Sequence, residues 1–462
     1  MQKDTYKKLI GLLLALLVYF LMKGNVDDRV ARTAGITVLM AIWWVSEATH
    51  LSITALLPLI LFPLTGVLGM KEVSTQYMNP IIFLFMGGFI MAFAMEKWNL
   101  HKRIALNIIV WMGRTPGRLL FSFMLSSFLL SMFILNTTTV IMLLPATLAI
   151  IKEIKIESKK SFAEAILLGL AYSANIGGMS TLIGTAPNLY FAEFYESNFV
   201  DAYSFDFLNW FILIFPLCIV LFLLTFLVIK NNYFFKSAKP IEITSVHKAL
   251  NQLGSIKKEE KIVGALFIMA IILWVSRPYL FDTVMVKDGT IAILIALLMY
   301  FIPAKGKTQR IISWKEFEKM PIGVLLLFGG GFALAKAIQV SGLGALIAQQ
   351  LSFLGDYPDW IIVFFLCLFM TFFTEITSNT ASTQLMLPIL LPLIQLFNWN
   401  APQVLLAITL SASCAFMLPV ATPPNTIVFG SGEVSAKSMV RVGIILNLLC
   451  ALVISIYLNL RF

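Results

Sequence analysis

The sequence TEITSNT at residues 374–380 decides the fold class, because it places a cluster of polar side chains inside a long apolar run. The sequence SMFILNT at residues 131–137 interrupts a second apolar run, and both stretches end in Asn-Thr. A proline follows nine residues after each Asn, at Pro145 and Pro388. Polar groups are costly in lipid, so clusters at membrane depth predict a pathway for a substrate or an ion.

The composition around these clusters is that of a membrane protein. Of 462 residues, 59% are hydrophobic and 13% are charged, and the apolar runs repeatedly reach the roughly 18 residues that a membrane-spanning helix needs. The formal charge of +10 falls mostly in loops between apolar runs, as the positive-inside bias predicts, and no nucleic-acid-binding motif accompanies it. The sequence therefore predicts an all-α polytopic membrane protein with membrane lipid around it and no nucleic-acid partner.

Eleven apolar segments bounded by charged or turn residues are predicted to cross the membrane. They are residues 9–22, 33–49, 51–69, 80–95, 162–195, 207–229, 262–281, 289–303, 320–348, 402–430 and 438–460. The polar clusters lie in two further segments, 119–151 and 360–397, whose arms are predicted to be too short to cross. Arms at 119–135 and 140–151 would form helices of about 25 and 18 Å, against a hydrocarbon core of about 30 Å. Both segments are therefore predicted to be re-entrant hairpins with the tip at mid-membrane.

The charges in the loops support the hairpins. If both hairpins return to the side they entered from, 26 Lys and Arg side chains lie on the side of the N-terminus and seven on the other side. Hairpins that crossed would move the basic loops 152–160 and 230–261 to the opposite side, against the orientation bias. The N-terminus is therefore predicted to be cytoplasmic, in a bacterial inner membrane.

The two halves of the chain resemble each other. LFMGGF at residues 84–89 corresponds to LFGGGF at residues 327–332 at an offset of 243, which also separates the two Asn-Thr pairs and the two prolines. GTAPN at residues 184–188 corresponds to ATPPN at residues 421–425 at an offset of 237. The sequence thus predicts an internal repeat.

The repeat predicts the organisation of the whole chain. It consists of a first span in residues 1–32, repeat 1 in residues 33–229, a cytoplasmic linker in residues 230–261 and repeat 2 in residues 262–462. Each repeat holds five spans and one hairpin. Five crossings are an odd number, so the second repeat would be inverted relative to the first, an arrangement typical of secondary transporters.

The polar clusters offer chemistry for both an anion and a cation. Asn and Thr side chains can donate to a carboxylate or accept from a cation. The second arm of each hairpin is predicted to begin near Thr138 or Ala381, where its N–H groups would face an anion, whereas carbonyls ending the first arm would face Na+. Residues 173–188 and 411–425 are rich in small, polar and proline residues and predict broken helices lining a cavity. The alternative is proline kinks with Ser and Thr packed between helices.

The sequence ASCAFMLPVATPPNTIV at residues 412–428 resembles the signature of the divalent anion:sodium symporters, which move dicarboxylates, citrate or sulfate. The tip at 378–380 and the break at 184–188 match the same family, and the resemblance runs from about residue 33 to the C-terminus. It implies a homodimer in which a transport domain, carrying both hairpins and both broken helices, moves against a fixed scaffold in an elevator-type mechanism.

The resemblance also implies the site residues. The anion would be held by Asn136, Thr137, Thr185, Ser378, Asn379, Thr380, Thr422 and Pro423. One Na+ site would include Ser131, Asn136 and Gly184, and a second would include Thr374, Thr377, Asn379 and Ala421. No cofactor is expected beyond Na+ as the coupling ion.

Leu135 departs from the family pattern, because the first tip usually reads Ser-Asn-Thr and here reads Leu-Asn-Thr. The missing hydroxyl raises the alternative of Na+-independent exchange, which some members of the family perform. Lys336 is the one cation within a predicted span, and its expected partner is a group such as Glu375 or solvent. Glu375 itself is expected to anchor its hairpin as a paired carboxylate.

The expected function is transport of a C4–C5 dicarboxylate, such as succinate, malate, fumarate or 2-oxoglutarate, with Na+ symport. Exchange without Na+ and transport of citrate or sulfate are the alternatives within the family. An enzyme is not expected, because His50, His101 and His247 lie at span ends or in a loop and the four cysteines stand singly. A channel could use the same tips, but it would pass ionic current without saturable uptake.

Overall fold

The computed structural model describes residues 2–112, 115–153, 158–199, 203–233, 241–282, 285–304 and 310–462. These residues form 23 α-helices and two short 3-10 helices, with two isolated β-bridges and no strand among them. Nine helices within these ranges are long and apolar enough to cross a membrane. The all-α polytopic class is thus confirmed, and the number of eleven spans stays a prediction.

The first half of the chain contains twelve helices. They are α1 (Gln2–Met22), α2 (Asp28–Val45), α3 (Leu51–Thr54), α4 (Leu57–Leu64), α5 (Met70–Thr75), α6 (Pro80–Lys97), α7 (Leu100–Met112), α8 (Pro116–Ser131), α9 (Asn136–Glu153), α10 (Lys159–Met179), α11 (Ala186–Asn198) and α12 (Phe207–Asn232). The arms of the first predicted hairpin are α8 and α9.

The second half contains the other eleven α-helices and both 3-10 helices. They are α13 (Thr244–Gln252), α14 (Lys258–Leu280), α15 (Asp288–Phe301), α16 (Trp314–Phe317), α17 (Ile322–Ser341), α18 (Leu343–Gln350), α19 (Asp359–Phe373), α20 (Asn379–Phe397), α21 (Ala401–Ser411), α22 (Pro423–Gly430) and α23 (Ala436–Arg461), with 3-10 turns at Ser352–Asp356 and Thr374–Ile376. Both halves contain two hairpin arms, then a broken helix pair, then a long helix. The order of the elements therefore agrees with the predicted repeat, and inversion of the second copy stays a prediction.

Side-chain caps set several helix starts. The Asp206 carboxylate accepts from the backbone N–H of Asn209 at the start of α12, at 2.8 Å. Ser435 caps α23 in the same way through the N–H of Ser438, at 3.1 Å. Because the first four N–H groups of a helix lack partners within it, such side chains define where the helix begins.

The hairpin arms differ from those that the sequence predicted. Their second helices begin at Asn136 and Asn379 rather than near Thr138 and Ala381, because polar residues are favoured where the first N–H groups are unpaired. In the second hairpin, residues 359–376 and 379–397 are each long enough to cross a membrane, so the prediction that these arms are too short was wrong. The return of each hairpin to its side of entry stays a prediction that rests on loop charge.

Four of the predicted spans each contain two helices, one of them the span at residues 51–69, which forms α3 and α4. Residues 162–195 and 402–430 divide into α10 with α11 and α21 with α22, as the predicted breaks require. Residues 320–348 also divide, at Gly342, into α17 and α18, which the sequence analysis missed. Gly342 has a φ of +85°, a left-handed conformation that ends a helix and that glycine adopts without a steric penalty.

The helix α10 lies in the packed interior. Every residue from Phe162 to Met179 is buried, and α10 contacts α8, α9, α12 and α22. The approach of α8 depends on Gly177, because a Cβ there would overlap the carbonyl of Phe128. This close packing places the first break against the first hairpin.

Candidate functional site

Four helices begin at one cavity. The helices α9 and α20 start at the hairpin tips, at Asn136 and Asn379, while α11 and α22 start after the breaks, at Ala186 and Pro423. All four of these residues line a cavity of about 770 Å³. A helix N-terminus carries unpaired N–H groups and a partial positive charge, so this arrangement favours an anion.

The cavity also brings together every residue predicted to hold the anion. Its lining includes Asn136, Thr137, Thr185, Ser378, Asn379, Thr380, Thr422 and Pro423. Thr185 and Ser378 each precede a helix that their side chains do not cap, so neither hydroxyl is used at the start of its own helix. Binding of an anion by these residues stays a prediction.

An asparagine that the sequence analysis did not select joins the two halves of the cavity. Asn136 Nδ2 donates to Asn175 Oδ1 at 3.4 Å, and Asn175 Nδ2 donates to the Thr422 hydroxyl at 3.3 Å. Asn175 is 2% exposed, and it lies on α10 ahead of the first break. Its place in the segment 173–188, as one of two asparagines among small, polar and apolar residues, was the signal available in the sequence.

After each break, the third residue of the following helix is an asparagine whose side chain hydrogen-bonds to the backbone of the break. Asn188 Nδ2 donates to the carbonyl of Thr181 at 2.8 Å, and Asn425 Nδ2 donates to the carbonyl of Ala415 at 3.0 Å. Both Oδ1 atoms are buried without a hydrogen-bond partner. The equivalent positions of these two residues in GTAPN and ATPPN could have identified them as structural partners of the site.

Glu375 anchors the second hairpin. Its carboxylate accepts from the N–H groups of Met417 and Leu418 at 2.8 and 2.9 Å, and from Asn447 Nδ2 at 2.7 Å. The tip is therefore tied to the second break and to α23, through N–H donors rather than a cation. Lys336 lies exposed on α17, whereas Glu375 is 3% exposed, so the expected pairing of these two residues is not formed.

The first predicted Na+ site contains buried oxygen atoms without partners. Ser131 Oγ and Asn136 Oδ1 are both buried and make no hydrogen bond. Asn136 lies against Gly178, because a Cβ there would be 2.7 Å from Asn136 Oδ1, and Gly184 lies against Gly178 in turn. These neighbours fit the oxygen-rich surroundings that Na+ needs.

The second predicted Na+ site contains oxygen atoms that contact one another. The Thr374 hydroxyl lies 2.7 Å from Asn379 Oδ1 and 2.9 Å from the carbonyl of Ala412. The Thr374 hydroxyl has one proton and can donate to only one of these two oxygens at a time. The other oxygen therefore keeps a lone pair that a ligand could use. Thr377 hydrogen-bonds to Ser382 and to the carbonyl of Phe373. Ala421 lines the cavity beside them, and cation binding at this site stays a prediction.

Leu135 faces the cavity at the first tip. Its side chain is 39% exposed and lies among the lining residues, as does Ser378, its counterpart at the offset of 243. The first tip therefore presents an apolar surface where the second tip presents a hydroxyl. The cavity is correspondingly less polar on its first side.

Charge and position distinguish one end of the cavity. Among the described residues that line it, Glu47 is charged and none is Lys or Arg. The cavity extends from the tips to Glu47 and Leu51 after α2 and to Pro321 before α17. These helix ends meet the loops that the charge distribution predicts to be cytoplasmic.

Proteins similar in sequence to this chain are transporters. A sodium-dependent dicarboxylate transporter, SdcS, of Staphylococcus saprophyticus is 43% identical over 468 residues, covering 97% of this chain and 90% of the relative. SdcS of Staphylococcus aureus strain USA300 is 40% identical over 468 residues with the same coverage. The similarity is therefore close to full length.

Solved structures share the fold at low sequence identity. The YdaH transporter of Alcanivorax borkumensis superposes with a TM-score of 0.58 at 12% identity, covering 89% of this chain and 98% of YdaH. MtrF of Neisseria gonorrhoeae superposes with a TM-score of 0.59 at 12% identity, covering 96% of both chains. The family model described as the sodium:sulfate symporter transmembrane region matches residues 2–461. The chain therefore belongs to the sodium:sulfate symporter family, that is, to the divalent anion:sodium symporters, and is an integral membrane protein.

Proposed function

We propose that this protein carries a C4–C5 dicarboxylate across the membrane together with Na+. The relatives named sodium-dependent dicarboxylate transporters, at 40% to 43% identity over nearly the whole chain, support the cargo and the coupling ion. Because these relatives are transporters, carriage rather than catalysis is the activity proposed. The observation on which the proposal chiefly rests is the cavity at which four helix N-termini meet.

The charge of the cavity favours coupling to a cation. A dicarboxylate brings about two negative charges into a site of low dielectric constant, where uncompensated charge is severely penalised. The described lining residues include no Lys or Arg, and the helix N-termini supply only partial charges. Bound Na+ ions would provide the remaining positive charge.

We expect the two predicted Na+ sites to provide this charge. Asn136 contributes to the first tip and Asn379 to the second, and both also line the cavity. Each amide can present its oxygen to a cation and its NH2 group to the anion. Anion binding and cation binding would then stabilise each other, which is the requirement for symport.

The mechanism proposed is alternating access. The hairpins and the broken helices would move as one transport domain against a scaffold, in a homodimer with a cytoplasmic N-terminus in a bacterial inner membrane. In this conformation the cavity meets helix ends on the predicted cytoplasmic side, so the structure would correspond to an inward-open state. Repeat inversion would supply the equivalent outward-open state.

Na+-independent exchange of dicarboxylates is the second candidate. Leu135 favours it, because the first tip lacks the hydroxyl that the second tip carries at Ser378. The unpartnered oxygens of Ser131 and Asn136 favour symport. Citrate and sulfate are alternative cargoes within the family.

Transport into liposomes tests these proposals. Purified protein would be reconstituted and given labelled succinate, with Na+ or K+ outside, in empty vesicles and in vesicles preloaded with unlabelled succinate. Symport predicts saturable uptake into empty vesicles that requires Na+. Uptake only into preloaded vesicles, with Na+ and K+ equivalent, would instead show exchange. Absence of succinate, malate, 2-oxoglutarate, citrate and sulfate transport under both regimes would refute the proposed function.

A further inference from the structure

A buried charge triad joins three helices at the far end of the bundle from the cytoplasmic end of the cavity. Arg277 in α14 lies between Asp206, which caps α12, and Asp288, the first residue of α15. Arg277 Nη2 donates to Asp206 Oδ2 at 2.7 Å. Arg277 Nε lies 2.9 Å from Asp288 Oδ1, an ion-pair contact whose angle falls short of a hydrogen bond. The side chains of Arg277, Asp206 and Asp288 are 3%, 9% and 7% exposed.

Neighbouring groups hold the first turn of α12 against this triad. The backbone N–H of Phe207 donates to Asp288 Oδ2 at 2.7 Å, and the Phe207 ring stacks on Trp274 with 4.5 Å between ring centroids. Trp274 Nε1 donates to the carbonyl of Asp288 at 3.1 Å. Two carboxylates and one guanidinium are thus largely buried, beside a cavity of about 250 Å³ that all three residues line. Removing one partner from a buried group of charges costs far more free energy than removing an exposed ion pair.

The triad connects two groups of helices. The helix α12 packs on α8, α10 and α23, which are elements of the hairpins and breaks or are tied to them. The helices α14 and α15 pack on each other and on α6. Gly87 of α6 approaches α15 so closely that a Cβ there would contact the backbone of Ala292 at about 2.5 Å. The triad therefore lies where the hairpin-bearing helices meet the other group.

A chain of hydrogen bonds continues from α12 to the first tip. Trp210, one turn after Asp206, donates through Nε1 to the carbonyl of Met179 at 3.0 Å, at the end of α10. Thr181, two residues further on, donates to the carbonyl of Met132 at the first tip. Movement of the tip and the first break relative to α14 would therefore pull α12 away from Arg277.

We propose that Asp206, Arg277 and Asp288 form a lock that holds the protein in the inward-open conformation. The lock must open, and its charges must become hydrated, before the site can face the opposite side. The inference rests on the proposed alternating-access transport. It predicts that weakening the lock shifts the equilibrium toward the outward-open conformation without altering any residue at the cavity.

Two variants weaken the lock and one serves as a matched control. Asp206→Asn removes one of the two carboxylate charges that Arg277 faces but keeps a good N-cap for α12. Arg277→Lys keeps a cation but loses the planar, two-pronged geometry. The control is Lys287→Gln, which removes an ion pair to Glu196 at 3.1 Å beside the triad. Its two side chains are 47% and 34% exposed, so this pair differs from the triad in being accessible.

Labelling of a cavity cysteine from each side of the membrane measures the equilibrium. Val420 lines the cavity, is 77% exposed and is not among the proposed ligands, and the four native cysteines are buried. Val420→Cys would therefore be introduced into every variant and exposed to a membrane-impermeant maleimide in right-side-out and inside-out vesicles.

The parent is expected to label mainly from the cytoplasmic side. Asp206→Asn should raise the ratio of external to cytoplasmic labelling rates by about tenfold or more, because one of the two buried ion pairs of Arg277 is lost. Arg277→Lys should raise this ratio less, and Lys287→Gln should leave the ratio within about twofold of the parental value. Ratios for both lock variants equal to that of Lys287→Gln would overturn the proposal. Should Asp206→Asn aggregate on gel filtration, Arg277→Lys decides between these outcomes.

The labelling assay separates the lock from the proposed cargo. Shifted labelling in vesicles that transport none of the tested anions would leave the lock standing and refute the proposed function. Unchanged labelling in vesicles with normal Na+-dependent succinate uptake would refute the lock and leave the function standing.

Discussion

The two hairpin tips occupy equivalent positions in the repeat but differ in how their oxygens are satisfied. At the first tip, Ser131 Oγ and Asn136 Oδ1 are buried without a hydrogen-bond partner. At the second tip, the Thr374 hydroxyl lies within hydrogen-bond distance of Asn379 Oδ1 and the carbonyl of Ala412. Without ligands, the second tip is thus held by its own contacts, whereas the first has acceptors that the described protein leaves unsatisfied.

The two tips also differ in the side chains that they present to the cavity, and here the second tip is the more polar one. The second tip offers the hydroxyl of Ser378, and the first offers the side chain of Leu135 at the corresponding position. We infer that the second tip contributes more to holding the anion. We expect the first tip to depend more on a cation for its own stability, because leaving buried acceptors without partners costs free energy.

Asn379→Ala is expected to have the largest effect. It tests the inference that the second tip contributes more to holding the anion. Loss of the amide removes a donor to the anion and an acceptor near the second Na+ site, so the rate of succinate uptake should fall about 100-fold or more. Uptake into proteoliposomes measures it. Asn107→Ala, an exposed asparagine on α7, is the control that should keep parental uptake, and uptake by Asn379→Ala at the parental rate would show that the second tip does not hold the cargo.

Glu375→Gln tests the anchor that only the second tip has. Its equivalent at the first tip is Met132, whose backbone carbonyl accepts from Thr181. An amide offers one acceptor oxygen where the carboxylate offers two, so the free energy of unfolding should fall by about 2–3 kcal/mol. Thermal unfolding in detergent measures the loss, with the exposed Glu433→Gln as control. Equal melting temperatures for the two variants would contradict the anchoring role.

Ser131→Ala tests whether the unpartnered oxygen of the first tip is a cation ligand. Removal of a Na+ ligand should raise the Na+ concentration for half-maximal uptake by about five- to tenfold, while thermal stability without Na+ stays the same or rises, because no hydrogen bond is lost. The matched variant Thr374→Ala should lower stability, since that hydroxyl bonds within the protein. An unchanged Na+ dependence in Ser131→Ala would remove this residue from the site.

Leu135→Ser is expected to have the smallest effect and would make the two tips more alike. A hydroxyl at this exposed position adds one hydrogen bond to the anion, so the KM for succinate should fall about two- to fivefold. The apolar cavity residue at the second tip, Ile376→Ser, is the control for added polarity alone. If both variants change KM equally, position 135 has no special relation to the anion.

Much of the site was predictable from sequence because polar residues within apolar runs can be recognised without knowing which helices pack together. Asn136 and Asn379 stand in apolar runs where polar residues are rare, and the offset of 243 identifies them as counterparts. The lengths of the hairpin arms were less predictable, since a helix can begin on a polar residue that an apolar count excludes. The division at Gly342 was missed because residues 320–348 were counted as one apolar span, although Ser341-Gly342 is a dipeptide typical of turns.

Contacts between distant residues were not predictable. Asn175 reaches Thr422 across 247 residues, and Glu375 is held by N–H groups more than 40 residues away. A single polar residue in an apolar stretch indicates that a partner exists, but the partner depends on which helices pack together.

A helical membrane protein with two paired polar tips and two paired breaks could be predicted from the sequence, because apolar length and polar interruptions are local properties. The tertiary structure was needed to show that four helix N-termini meet at one cavity, that Ser131 Oγ and Asn136 Oδ1 are left without partners, and that Arg277 lies between Asp206 and Asp288. These features arise from the packing of helices far apart in the chain. The two tips that look alike in sequence therefore differ in the structure, where their surroundings set which one is already satisfied.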